Sequence, residues 1–145
     1  MFGIIVGTHG QFAPGIVQSC EMIFGKRDKL KAVTLVPGEG PDDVLEKYQK
    51  AIEELGNPDR VLFFNDLMGG SPYNAACRLV ATNENYGIVA GVNLPALIAM
   101  SAAQDTDDGT ATIAEIMEQA LQACKDGAVI SSYESLNVET EDDEL

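Results

Sequence analysis

The chain has 145 residues, a length that suits one domain and lets roughly two-thirds of the unfolded chain's surface be buried. Hydrophobic residues make up 46% of it, which excludes a disordered chain, and a net charge of −14 argues against nucleic acid or an anionic membrane surface as the partner. No run of about 18 uncharged apolar residues is present, so no transmembrane helix is expected, and MFGIIVGTHG lacks the basic region and cleavage site of a signal peptide.

Strand-like and helix-like segments then alternate. FGIIVG (2–7) is short, apolar and β-branched, as a strand covered on both faces should be. Residues 12–24 place Phe12, Ile16, Ile23 and Phe24 near helical spacing, with Pro14 tolerated in the first turn and Gly25 as the stop. KAVTLV (31–36) is a second strand, ended by Pro37-Gly38. Asp42 and Asp43 open a helix; Asp43 and Glu46 have capping-box spacing, and Gly56 ends it. RVLFFND (60–66) is a third strand, after which Ser71 as N-cap and Pro72 as first helical residue start a helix to about Leu79. YGIVAGV (86–92) is a fourth strand, and 94–103 and 110–125 read as helices. AVISSYESLNVE (128–139) reads as a late, more polar strand on an edge, and the acidic residues 140–145 as a solvated tail on a single 1–139 domain.

Successive βα units imply an α/β fold: a doubly wound, mostly parallel sheet with helices on both faces. Cys20, Cys77 and Cys124 lie far apart in helical patterns and read as small buried hydrophobes in a reduced compartment. Met22, Met100 and Met117 read as packing, and Glu39 as a solvated turn residue. No metal site is expected from one histidine and scattered cysteines.

In such a sheet ligands bind beyond the carboxyl ends of the strands, at the switch point. Three segments fall at those ends: Thr8-His9-Gly10, Asn65-Asp66 and Val92-Asn93. With strand order 2-1-3-4 the first and third strands are neighbours, and His9 and Asp66 face each other. A carboxylate bonded to one ring nitrogen fixes the tautomer and leaves the other lone pair free as a nucleophile. The glycines beside His9 allow close approach, and LMGGSP (67–72) leads to a helix N-terminus whose N–H groups hold anions. Together these suggest a histidine that accepts a phosphoryl group, with His9 and Asp66 as the catalytic pair and Thr8, Gly10, Gly69, Gly70 and Ser71 as candidate phosphate-binding groups. Taken singly, each residue has an ordinary explanation: a loop histidine, a turn aspartate, a good helix start. Other enzyme classes fit worse. There is no G-x-x-x-x-G-K-[ST], residue 12 is Phe where a dinucleotide fingerprint needs glycine, and no G-x-S-x-G elbow occurs. A phosphoglycerate-mutase-type histidine phosphatase would need Arg before His9 and a second histidine; Thr8 stands there, and His9 is the one histidine.

Gly7-Thr8-His9-Gly10, Pro37-Gly38-Glu39, Asp66 to Ala75 and Gly91 to Pro95, in that order, resemble the EIIA domain of the mannose-family sugar phosphotransferase system. The likeness covers roughly residues 1 to 125. It implies a flavodoxin-like sheet and a cytoplasmic phosphocarrier without a cofactor. Such a carrier takes a phosphoryl group from the phosphocarrier HPr and passes it to a histidine of EIIB, for sugar uptake through the membrane components EIIC and EIID. By position, His9 is similar to the phosphorylated residue, through Nε2; Asp66 to the carboxylate that orients its ring; Ser71 to the serine that bonds near the phosphoryl group. The family also forms homodimers in which a C-terminal edge strand crosses to the partner, a part open to residues 128–139. No EIIB domain follows, which leaves EIIB on a separate chain or beyond this sequence. Two alternatives stay open: the related phosphocarrier domain serving dihydroxyacetone kinase, and a regulatory module whose phosphorylated state is read by a partner. The transported sugar is set by the membrane components, not by these residues.

Overall fold

The computed structural model describes residues 1–143. Four parallel strands, β1 (Gly3–His9), β2 (Leu30–Leu35), β3 (Val61–Asn65) and β4 (Tyr86–Ala90), form one sheet in the order β2-β1-β3-β4. The helices are α1 (Phe12–Phe24), α2 (Pro41–Glu54), α3 (Gly70–Val80), α4 (Leu94–Asp105), α5 (Ile113–Asp126) and α6 (Tyr133–Asp143). This is the α/β, doubly wound arrangement that the alternation of elements implies, in the 2-1-3-4 order expected with the flavodoxin-like resemblance.

The central strands β1 and β3 are mostly apolar because both of their faces are covered. The pleat sends Phe2, Ile4, Val6, Leu62 and Phe64 to one face, where they pack with Ala13, Ile16 and Cys20 of α1, Leu97 and Met100 of α4, and Ile116 and Ala120 of α5. It sends Ile5, Val61 and Phe63 to the other, against Val44, Tyr48 and Ile52 of α2 and Ala75 and Ala76 of α3. Central β1 and β3 are buried along nearly their whole length, while β4 alternates between buried and half-buried residues at the sheet's margin. No helix among the described residues is long and apolar enough to cross a membrane.

Several boundaries move, each for a local reason. Strand β1 continues past Gly7 because Thr8 and His9 stay paired with Thr34 and Leu35 of β2. Asp43 acts as the third residue of α2: its Oδ2 accepts the Gly40 N–H at 2.8 Å, so the capping partner lies before it, not at Glu46. Helix α3 starts at Gly70 with Gly69 as N-cap and no side-chain cap, so Ser71 is inside the first turn and its hydroxyl closes nothing. Asn93 does cap α4, accepting the Ala96 N–H at 3.0 Å. Glu39 is no solvated turn residue: its Oε1 accepts Lys47 Nζ at 2.7 Å and the Val36 N–H at 2.9 Å, and the Lys47 bond holds its carboxyl below the usual range. Met100 is buried and Met117 packs against the core, but Met22 is exposed, as is Ile23. Cys20 is buried, Cys77 and Cys124 are half-buried, and all three are free thiols.

The expected edge strand at 128–139 is not part of the sheet. Residues 128–132 carry no regular structure and α6 follows. A lone strand leaves its backbone groups unpaired, whereas a helix satisfies its own. The start is fixed locally: Ser132 Oγ accepts the Ser135 N–H at 3.1 Å and Ser135 Oγ accepts the Ser132 N–H at 2.9 Å. Of the expected acidic tail, residues 140–143 belong to α6, and residues 144–145 lie outside the described residues.

Candidate functional site

The site forms where β1 and β3, neighbours in the sheet, both end. Gly7 pairs with Asn65 in register, so His9 and Asp66 emerge side by side from the carboxyl end of the sheet. His9 Nδ1 and Asp66 Oδ2 are 2.8 Å apart. The same oxygen accepts the His9 backbone N–H at 3.1 Å, and Oδ1 accepts the Leu67 N–H at 3.1 Å. The carboxylate is thereby held by both of its oxygens. As a carboxylate it only accepts, so the ring proton belongs on Nδ1 and the lone pair on Nε2. The Asp66 side chain is 12% exposed and that of His9 is 46% exposed, so the ring is anchored at one edge and open at the other.

The Nε2 edge faces the start of α3. Gly70 has φ +77°, and a Cβ there would lie 3.0 Å from His9 Cε1 and 3.1 Å from Nε2. Gly69, at φ +88° and ψ 176°, turns the chain into the helix. Both conformations suit glycine, and the absence of a side chain at Gly70 keeps the Nε2 edge clear. The uncapped first turn of α3 points backbone N–H groups and the positive end of the helix dipole to this place.

Thr8 and Gly10 do not join this cradle. Alternation along β1 sends Thr8 to the α1 face, opposite His9; its hydroxyl is fully buried, accepts the Ala13 N–H at 2.7 Å and lies 3.2 Å from His9 O. The N–H of Gly10 is committed to Leu35 O at 2.8 Å, with φ +56° where the chain turns into α1. Both shape the loop that carries His9 rather than offering a free donor to an anion. Three exposed apolar side chains follow the site residues in the chain: Phe12 three positions after His9, and Leu67 and Met68 directly after Asp66. Among the described residues no cluster of His, Cys, Asp or Glu could hold a metal ion.

One participant was not visible in the sequence. Under His9, Tyr48 of α2 donates its hydroxyl to Pro72 O at 2.8 Å and accepts from Asn65 Nδ2 at 3.0 Å. Burial pushes the Tyr48 phenol above its ordinary range, keeping it protonated. The one signal for it was Gly7, a glycine inside a buried strand, which marks the close approach of another group.

The site is thus an α/β module in which a carboxylate orients a histidine at the switch point of a doubly wound sheet, with the free ring edge against a glycine-rich helix start. Residues 3–117 match the family model described as the PTS (phosphotransferase system) fructose IIA component, and the chain belongs to this EIIA-man family. The chain is 32% identical over 148 aligned positions to the PTS system fructose-specific EIIA component of Bacillus subtilis (strain 168), covering all of both chains. It is 39% identical over 104 residues, 72% of this chain, to the PTS system mannose-specific EIIAB component of Escherichia coli (strain K12). That match spans 32% of the relative, so the chain corresponds to about a third of the EIIAB proteins' length. Among solved structures, the PTS IIA protein associated with the fucose utilization operon from Streptococcus pneumoniae superposes with TM-score 0.71 at 28% identity, over 89% of this chain and 92% of that one. EIIA from Streptococcus agalactiae gives TM-score 0.79 at 24% identity, over 90% and 97%, which speaks for the fold. The chain is therefore a member of the mannose/fructose EIIA family.

Proposed function

We propose that this chain is a cytoplasmic phosphocarrier that accepts a phosphoryl group from phospho-HPr on His9 and passes it to a histidine of EIIB, feeding sugar uptake through EIIC and EIID. The observation that carries the reading is the 2.8 Å contact between His9 Nδ1 and Asp66 Oδ2, which leaves Nε2 as an oriented lone pair beside the uncapped start of α3. In the transfer, the Nε2 lone pair attacks phosphorus in line. The N–P bond of the donor's phosphohistidine breaks and its electron pair returns to the donor ring. The Nδ1 proton stays in place, and Asp66 balances the positive charge that the His9 ring acquires as the new bond forms. The equatorial oxygens are met by the N–H groups at Gly70 and Ser71 and by the Ser71 hydroxyl. In the second half the same steps run in reverse toward EIIB.

Supporting features are the exposed apolar Leu67 and Met68 in the loop directly after Asp66, suited to a protein partner, and the net charge of −14, which steers a partner with a basic face. A homodimer is part of the proposal. The margin of β4 and the exposed apolar residues Val129, Ile130 and Tyr133 are surfaces that a second copy would cover. The test is incubation with phosphoenolpyruvate, enzyme I and HPr, followed by a chase onto EIIB. One acid-labile, base-stable phosphate per chain at His9, lost in a folded His9→Ala variant and transferred in the chase, is the expected result. Labelling of His9→Ala at the normal level overturns it.

A further inference from the structure

Gly7 interrupts a fully buried strand, and a Cβ placed there would collide with the Tyr48 hydroxyl. That hydroxyl belongs to a closed set of bonds. It donates to Pro72 O and accepts from Asn65 Nδ2, and the same amide nitrogen donates to Gly7 O at 2.8 Å. The Gly7 carbonyl can only accept, so the amino end of the Asn65 amide must face it. The other end, Oδ1, is buried with no hydrogen-bond partner. A buried acceptor without a donor is unfavourable, and an apolar side chain would avoid it. A polar residue, Asn65, is nonetheless present at the strand position next to Asp66.

The three tethered segments are the ones that build the site. Gly7 is two residues before His9, Asn65 is one before Asp66, and Pro72 is two after Gly70. We propose that Tyr48 and Asn65 are positioning residues for phosphoryl transfer, fixing the ends of β1 and β3 and the first turn of α3 at one buried point beneath the His9 ring. They touch no reacting atom. Their effect is to hold the Nδ1–Asp66 bond and the clearance between Nε2 and Gly70 together, so that the lone pair meets phosphorus and the N–H groups meet its oxygens at once. The kinetic half rests on the phosphocarrier reading; the geometric half concerns the ring itself.

Tyr48→Phe removes the hydroxyl and keeps the ring, including its edge-on contact with Phe63 at 5.1 Å between centroids. Asn65→Ala removes the amide. In each folded variant kcat for transfer from phospho-HPr is expected to fall between about ten- and a hundredfold with KM for the donor unchanged. The 15N spectrum of the His9 ring, recorded without any partner, is expected to move from one fixed tautomer toward a mixture. The double variant is expected to be no slower than the slower single one, because both act through one network. A kcat within about twofold of wild type together with an unchanged ring spectrum overturns the inference, as does a fully additive double variant. If Tyr48→Phe fails to fold, Asn65→Ala carries the same two readouts; failure of both to fold assigns the network to stability alone and overturns the positioning role. Absence of phosphorylation in the wild-type protein would defeat the phosphocarrier reading instead, and the ring spectrum would still decide the geometry.

Discussion

Gly70 allows the site to be probed without touching its polar groups. An added methyl at Gly70→Ala would lie 3.0 Å from His9 Cε1 and 3.1 Å from Nε2, beside the edge from which the lone pair must act. It would also pay for a left-handed φ of +77°, a strain of about 1–3 kcal/mol. The two effects separate by comparison with Gly69→Ala. That residue, at φ +88° and ψ 176°, sits in a region essentially reserved for glycine and has nothing within 4 Å of its would-be Cβ, so it bears a backbone cost at least as large and leaves the ring clear. Both variants should lose about 1–3 kcal/mol in urea unfolding and several degrees in Tm. Only Gly70→Ala should show a further loss of labelling by phospho-HPr, about tenfold or more, at temperatures where both are folded. Equal labelling rates for the two variants would refute the reasoning, because the clearance at Nε2 would then have no bearing on transfer.

Other outcomes follow from the same geometry. Asp66→Ala should leave the acceptor in place and slow transfer by about tenfold or more, with single-turnover labelling as the readout, since one oxygen holds both the ring and the backbone of His9. Ser71→Ala should leave Tm unchanged, because its hydroxyl caps no helix N–H; any fall in transfer rate is then a direct effect at the phosphoryl group. Far from the site, the Arg60 guanidinium, 2.6 Å from Asp107, together with the Phe2 and Gly109 N–H groups, lowers the Asp107 carboxyl from 3.8 to about 2. Its lowered value means a contribution of about 2 kcal/mol that is fully present above pH about 4 and is lost as pH falls through about 2. Asp107→Asn should therefore be less stable than wild type at neutral pH, with the difference vanishing toward pH about 2 in acid unfolding.

The parallel α/β sheet was legible because it follows from rules acting on long, strongly patterned segments: buried parallel strands read as apolar runs, and right-handed crossovers leave few topologies; the 2-1-3-4 order that brings His9 to Asp66 came with the flavodoxin-like resemblance. What was not legible depended on one-residue offsets. Once β1 runs to His9, the period of two assigns His9 to the α3 face with Ile5 and Gly7, and Thr8 to the α1 face with Ile4 and Val6. Ending the strand at Gly7 hid that division, and Thr8 was grouped with an anion site it turns away from. Ser71 resembled a cap because Ser-Pro usually starts a helix, but the two positive-φ glycines before it begin the turn earlier. Residues 128–139 read as a late strand, yet pairing needs a neighbour, and reciprocal bonds between Ser132 and Ser135 start a helix instead. Tyr48 was beyond reach, since its link to Asn65 and Pro72 exists only after the helices have packed.

The anchoring of His9 along one flank has a kinetic corollary. With Nδ1 and the main chain both tied to Asp66, the imidazole is left with one free lone pair, at Nε2 beside Gly70. A phosphoryl source and its recipient would have to queue for that one doorway and exclude each other there. Loading and discharge then become alternating events, and a large excess of unphosphorylated recipient should slow recharging as a competitor of the source.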